Sequence, residues 1–279
     1  MKAELSPKVK APLFNLEETM ICGQTFCWFP EGGKWVNVSR RGVLKVWQHG
    51  EHLKYECSDG LPRPLEQIFR FKDDLEEIYS EISKDYVIRR IIERHRGLRV
   101  INDELWPCLV SYICSQQLRI PRVRRLMDIL ARRYGDKISY RGMIYNVLPT
   151  PKQLDEVSLS KLKEVGLGYR ARYIKKTTNQ ILKGEVDIKG LYKLPYSEVK
   201  RELMKLHGVG EKVADCVALF SMGHLEAFPL DVWTFRAIAK FYPHLLETGG
   251  YGVVSRSCRR YFGRYAGYAQ EYLFRYIRK

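Results

Sequence analysis

The residues whose types and spacing could do chemistry lie between positions 203 and 233. In Leu203-Met204-Lys205-Leu206-His207-Gly208-Val209-Gly210-Glu211-Lys212-Val213-Ala214-Asp215-Cys216, one apolar helical face ends at Leu206 and a second starts at Val213. Gly208-Val209-Gly210 predicts a tight turn between them. Its two glycines permit positive φ and close approach of another backbone. The helix that opens there offers free N–H groups and the positive end of its dipole, which suit a phosphate. This spacing reads as a helix-hairpin-helix, a sequence-independent clamp on a DNA backbone, with an ordinary helix–helix connection as the alternative.

Lys212 falls in the first turn of the second helix, against the dipole's preference for anions. That field, with any burial, lowers a lysine's pKa and exposes a neutral amine able to form a Schiff base. A phosphate-binding lysine is the alternative, and local chemistry does not separate the two. Nineteen residues on, in Phe228-Pro229-Leu230-Asp231-Val232-Trp233, an aspartate interrupts an apolar run. Asp231 can cap a helix starting near Val232, worth about 1 kcal/mol. It can also stand near Lys212 as a catalytic carboxylate, and the two roles can coexist.

Such residues need a frame. Residues 26–56 read as β: Trp28, Lys34–Val38 and Val43–Trp47 are aromatic and β-branched, separated by Gly32-Gly33 and Arg41-Gly42. From about Leu61 the period becomes helical, with Leu75, Ile78, Tyr79, Ile82 and then Val87, Ile88, Ile91, Ile92 at helical spacing. Beyond residue 104 helical segments follow one another, joined by Gly- and Pro-containing turns. The expected class is α+β: an N-terminal antiparallel β-sheet domain with helices over 1–98, then a mostly α-helical domain over 99–279. The hairpin falls at about 199–220.

The chain has 279 residues, with 48 Lys plus Arg against 32 Asp plus Glu, so 48 − 32 gives +16. Its 45% hydrophobic and 29% charged composition is that of a globular protein and excludes global disorder. Seven basic and two acidic residues fall in 119–137, seven and one in 161–183, and seven and one in 251–279. These net +5, +6 and +6, more than the whole surplus. Nucleic acid is the first partner this implies and an anionic membrane the second; the alternative is three solvated helix faces that never meet. No apolar run reaches the ~18–20 residues of a membrane span, and Met1–Pro12 lacks a signal-peptide core. Seven cysteines without a CxxC pair argue against a disulfide framework or structural zinc. A reducing, intracellular setting follows. No His/Asp/Glu grouping suggests a catalytic metal.

The hairpin, Lys212 and Pro229-Leu230-Asp231 together resemble the helix-hairpin-helix superfamily of base-excision DNA glycosylases. The superfamily's usual Gly-Pro-Asp stands here as Pro-Leu-Asp, keeping the aspartate. Within the superfamily the chain resembles the 8-oxoguanine DNA glycosylase/AP lyases of eukaryotic type. Gly23-Gln24-Thr25-Phe26 followed by Trp28, Ser111-Tyr112-Ile113-Cys114-Ser115, Gly166-Leu167-Gly168-Tyr169-Arg170-Ala171-Arg172-Tyr173, and Ala269-Gln270 with Leu273-Phe274 carry that likeness over nearly the whole chain.

The resemblance implies a bifunctional enzyme that flips 8-oxoguanine out of duplex DNA, excises it through a lysine Schiff base and nicks the strand by β-elimination. Lys212 would attack C1′, and Asp231 would stabilise positive charge developing on the sugar. The Gly23 carbonyl would accept N7–H, a proton guanine lacks. Gln270 would bond the Watson–Crick edge, while Phe274 and Cys216 sandwich the base. Arg122 and Arg170 would contact the orphan cytosine, with Tyr169 wedged beside it and Gly208, Val209 and Gly210 on the backbone. The sequence departs from the family at two DNA-contacting positions. Gln117 replaces a gap-filling asparagine, which loosens the implied preference for cytosine, and Trp233 replaces a phosphate-contacting histidine. Only Cys258 follows Asp231, so the iron–sulfur loop of some relatives is absent. No cofactor is required by this reading, and a monovalent cation at the hairpin carbonyls is compatible with it. The expected protein is a monomer without membrane contact, in the cytoplasm or nucleoid of a prokaryote or the nucleus of a eukaryote. The alternatives are a glycosylase for other damaged purines, whose monofunctional relatives lack the lysine, and a hairpin protein that binds DNA without chemistry.

Overall fold

A computed structural model describes residues 7–58, 60, 63–246 and 248–278. The first six residues of the Met1–Pro12 stretch lie outside them, as does Leu61. Strand β1 (Lys8–Lys10) and helix α1 (Leu16–Ile21) precede strands β2 (Trp28–Glu31), β3 (Lys34–Ser39), β4 (Gly42–His49) and β5 (His52–Cys57). These make a five-stranded antiparallel sheet in the order β1-β5-β4-β3-β2. Gly32 and Gly33, at φ +55° and +76°, form the two-residue turn between β2 and β3. Both positions need positive φ if the strands are to keep their twist.

Helices α2 (Leu65–Ile68), α3 (Leu75–Ile82) and α4 (Tyr86–Arg94) follow. Asp74 and Asp85 cap α3 and α4 through their carboxylates, and the expected apolar stripes face inward. Then come α5 (Leu105–Ser115), α6 (Ile120–Tyr134), β6 (Lys137–Tyr140), β7 (Met143–Asn146), α7 (Pro151–Glu156), α8 (Leu159–Leu162), α9 (Arg170–Leu182), α10 (Tyr196–Leu203), α11 (Glu211–Met222), α12 (Val232–Phe241), α13 (Tyr251–Phe262) and α14 (Ala266–Ile277).

Two expectations are corrected. The region beyond 104 is not helical throughout, because β6 and β7 pair as an antiparallel hairpin. Its turn uses Arg141 and Gly142 at φ +50° and +75°, and Tyr145 packs with Val36 and Val43 of the sheet. The helix before the glycine turn stops at Leu203, not Leu206, although Leu206 stays buried.

The two regions share one buried apolar cluster running from Ala11 to Leu273. The last helix closes it. The Tyr272 and Tyr79 hydroxyls meet at 2.9 Å, Arg275 Nε donates to Glu18 at 2.8 Å, and the Tyr268 hydroxyl donates to Asp73 at 2.8 Å. Thus α14 lies against the N-terminal domain while its other side meets α12 and α13. No helix among the described residues is long and apolar enough to cross a membrane, and the cysteines among them form no disulfide.

Candidate active site

The turn before α11 separates its two glycines by function. Gly208 sits at φ +86°, and a Cβ there would lie 2.6 Å from Tyr173 Cβ. The backbone that approaches closely therefore meets this chain's own tyrosine. Gly210 is extended and has nothing near its Cβ position, so only one of the two expected positive-φ glycines exists. No side chain caps α11 at Gly210, which leaves first-turn N–H groups for an anion. The hairpin segment is nearly neutral in sequence, but folding surrounds it with charge. Lys175, Lys176, Lys205 and His207 line a depression of about 440 Å³ beside it. Burial, with Lys176 and Arg172 adding, pushes the His207 imidazole down from its usual pKa.

The hairpin carbonyls are engaged. His207 O accepts from Thr177 Oγ1 at 2.6 Å and Gly208 O from Gln116 Nε2 at 2.8 Å. A monovalent ion there would share both. Among the described residues no group of three or more His, Cys, Asp or Glu could hold a metal.

Lys212 is half-buried on the first turn of α11, its Nζ 4.8 Å from the centroid of the Tyr112 ring. The ring face attracts an ammonium, a pull opposite in sense to the helix field. Tyr112 is held in turn: its hydroxyl donates to Gln24 O at 2.6 Å, and its ring stacks on Phe220. One turn after Lys212 lies buried Cys216. Burial pushes its thiol up to about 12, with Lys212 opposing and Asp215, Asp231 and Glu271 adding. The lysine and Asp231 are thus both within electrostatic reach of the same sulfur.

Asp231 does cap α12, accepting from Thr234 N at 2.7 Å. Thr234 Oγ1 then accepts from Gln270 Nε2 at 3.1 Å. One chain of hydrogen bonds ties the candidate carboxylate to the candidate base-reading amide. Gln270 Oε1 is buried with no partner, and Phe274 lies one turn further along α14, also buried.

Gly23 sits at φ +103°, where a Cβ would collide with Arg278 Nη1 and come within 2.6 Å of Ile120 Cδ1. The next residue, Gln24, is spent on structure: its amide donates to Thr19 O and Arg99 O and accepts from Ile101 N. Arg278 Nη1 donates to Cys22 O at 2.8 Å, and its guanidinium lies 5.2 Å from the Phe274 ring centroid. Sequence reasoning missed Tyr112, Thr234, Glu271 and Arg278 as site residues. Thr234 is legible as the third residue after a capping Asp, and Glu271 as an acid inside an apolar run. Tyr112 and Arg278 carry no such signal.

Four of the remaining candidates, Gln117, Arg122, Tyr169 and Arg170, lie near the end of α5 and the loop before α9, and Trp233 stands apart on α12. Gln117 is exposed at φ +55°, a costly backbone for a residue that is not glycine. Arg122 is exposed and reaches Gly166, whose Cβ position lies 2.6 Å from Arg122 Nη2. Tyr169 is 44% exposed, as a wedge must be. Arg170 is drawn inward, because α5 ends on carbonyls that need donors. Its Nε and Nη2 donate to Gln116 O and its Nη1 to Leu167 O. Three of its five N–H groups are therefore committed to the fold. Trp233 is 39% exposed on the first turn of α12, with Arg236 over its ring.

The 251–279 basic stretch is not a simple polyanion footprint. Arg259 donates to Glu226 O, Arg264 pairs with Glu77 and Glu81, Arg275 pairs with Glu18, and Arg278 turns toward Gly23. These cations balance internal acceptors.

Residues 7–109 match the model of the 8-oxoguanine DNA glycosylase N-terminal domain, and residues 110–248 that of the HhH-GPD superfamily base excision DNA repair proteins. The probable N-glycosylase/DNA lyase of Methanothermobacter thermautotrophicus is 31% identical over 243 residues, covering 78% of this chain and 75% of that protein. The structure of MBOgg1 in complex with a low affinity DNA ligand superposes with a TM-score of 0.90 at 33% identity, covering 97% of this chain and 94% of the other. The Clostridium acetobutylicum 8-oxoguanine glycosylase/lyase, bound to double-stranded DNA with cytosine opposite 8-oxoguanine, superposes with a TM-score of 0.88 at 29% identity, covering 98% and 97%.

Proposed function

The chain belongs to the 8-oxoguanine DNA glycosylase family, within the helix-hairpin-helix superfamily of base-excision repair proteins, and we propose that it excises 8-oxoguanine from duplex DNA and nicks the strand at the resulting site. The observation that carries this reading is the unpaired Gln270 Oε1. A buried acceptor without a donor costs about 1–3 kcal/mol, and its companion Nε2 is bound to the residue that Asp231 caps. A guanine-type base offers N1–H and an exocyclic N–H on its Watson–Crick edge, which are the donors that oxygen lacks.

The chemistry assigned to the site needs two groups. The neutral Lys212 amine attacks C1′ as the glycosidic bond breaks, and the base leaves with the bonding pair and takes up a proton. The Asp231 carboxylate steadies the positive charge that develops on the sugar. The amine then forms an imine with ring-opened C1′. Loss of a C2′ proton expels the 3′ phosphate, so the nick follows from using lysine, not water, as nucleophile. No cofactor enters these steps. The Gly23 carbonyl would accept N7–H, and Cys216 and Phe274 would bound the base on its two faces. Gln117, Arg122, Tyr169 and Arg170 would face the orphan cytosine. The uncapped start of α11 and Trp233 would take phosphates. The work is intracellular, wherever the chromosome lies.

Borohydride reduction during reaction with a duplex carrying one 8-oxoguanine tests this. Wild-type protein is expected to become covalently linked to the DNA, and Lys212→Gln to give no adduct. Base release by the wild type without any trapped adduct would overturn the Schiff-base route.

A further inference from the structure

The space bounded by Gly23, Ile120 and Phe274 holds a side chain of the protein itself. The flat guanidinium of Arg278 lies against the Phe274 ring at 5.2 Å, donates from Nη1 to Cys22 O at 2.8 Å, and packs so closely on Gly23 that no Cβ would fit. A base stacked on Phe274 with an N–H directed at the 22–23 turn would use the same two contacts. Arg278 offers both, a plane and a donor.

We propose that Arg278 is an internal competitor for the base site, one that any entering base must displace. This rests on the excision reading above, since only that reading makes Gly23 and Phe274 the walls of a base pocket. A base that enters must lift the guanidinium off the ring and strip the Cys22 carbonyl of its donor. 8-Oxoguanine brings an N7–H to the neighbouring Gly23 carbonyl, a gain that offsets part of this cost. Guanine brings a lone pair at N7, so it faces the Gly23 carbonyl without a donor and offsets none of it. Self-occupancy weakens binding of every base by the same factor, the inverse of the vacant fraction, and leaves the choice between bases to the Gly23 carbonyl. The surrounding charges fit a group held in place but able to leave. Glu271 attracts the guanidinium when it is ionised, while Arg124 lies close enough to repel it.

The test separates pocket occupancy from DNA binding by using the free bases. 8-Oxoguanine and guanine are titrated calorimetrically into wild-type protein, Arg278→Ala and Arg278→Lys, each checked for an unchanged unfolding transition. Removing a competitor that fills the site most of the time raises apparent affinity by the inverse of the vacant fraction. Arg278→Ala is expected to bind 8-oxoguanine and guanine each about tenfold more tightly, so that the ratio between them is kept. Lysine, which keeps charge but not the plane, is expected between the two. In single-turnover assays the ratio of base excision to lyase cleavage of a preformed abasic duplex rises in Arg278→Ala, whereas a merely structural residue would move both rates together. Weaker or unchanged 8-oxoguanine binding by Arg278→Ala would overturn the proposal. A wild type that excises no 8-oxoguanine would instead overturn the functional reading beneath it.

Discussion

The Tyr251 hydroxyl donates to the Asp215 carboxylate at 2.7 Å and accepts from the Leu230 amide at 3.1 Å. One phenol thereby joins the helix of Lys212 to the segment that delivers Asp231. Asp215 lies three residues after Lys212, fully buried, and burial pushes its carboxyl up from the usual range. The Tyr196 hydroxyl at 2.6 Å and Lys200 Nζ at 3.1 Å supply further donors. A buried carboxylate with three donors is well satisfied. It fixes α10, α11 and α13 against one another around the candidate nucleophile.

Replacing Tyr251 with Phe should therefore cost both stability and rate. The Leu230 amide is left without its acceptor and Asp215 is short of one donor, which costs about 1–3 kcal/mol. Excision and strand nicking should fall together, because Lys212 and Asp231 lose their common reference. Duplex affinity should hold, since the hairpin is untouched. Denaturant midpoints, single-turnover rates and equilibrium binding give the three readings. A lower midpoint with both rates intact would show the phenol to be only a strut.

How far the sequence discloses this molecule varies with the kind of interaction. The sheet and the apolar stripes of α3 and α4 follow from local period and from turn residues such as Gly32-Gly33, because each is decided within a few positions. The β6–β7 hairpin is hidden because four-residue strands between helices give little period to read, although Arg141-Gly142 marks the turn. Lys212 and Asp231 are legible because each is out of place locally: a cation at a helix start, an acid in an apolar run. The partners that position them are not. Tyr112 beneath Lys212 and Tyr251 beside Asp215 belong to distant segments, and tyrosine in an apolar helix reads as ordinary core. Charge misleads in a related way. Counting basic residues does not distinguish Lys176, which is exposed, from Arg170, which is folded into the end of α5.

The cations around the hairpin give a second prediction. Lys176 and Arg172 are exposed on α9, and both bear on His207. Each is placed to meet the phosphates that approach the start of α11. Replacing both with Ala should weaken duplex binding and flatten the log–log dependence of affinity on salt by about 0.9 for each phosphate that is no longer neutralised. Excision from the saturated complex should keep its rate, because neither side chain is near Lys212 or Gln270 in the hydrogen-bond pattern. Binding measured over a salt series decides it, and an unchanged slope would mean that the depression faces solvent in the complex.

Glu271 gives a prediction in pH. Burial pushes its carboxyl up to about 7 from the usual 4.5; a hydrogen bond with Cys22 opposes the shift, Asp231 adds to it and Arg278 opposes it. Its Oε2 has no hydrogen-bond partner. Between these two values the folded protein keeps a proton that the unfolded chain has released. The folded state is thus favoured by the proton at low pH, and its stability falls as pH rises through the window, levelling above about 7. The whole change is on the order of 3 kcal/mol. Asp103, pushed up to about 6, contributes in the same sense, but it is common to wild type and to Glu271→Gln and cancels in their difference. Glutamine keeps the shape and removes the titration. The variant should therefore match wild type near pH 5 and exceed it in unfolding free energy near pH 7.5. Urea unfolding of both proteins across that range measures the difference, and a difference that stays constant with pH would mean that Glu271 does not hold its proton in the fold.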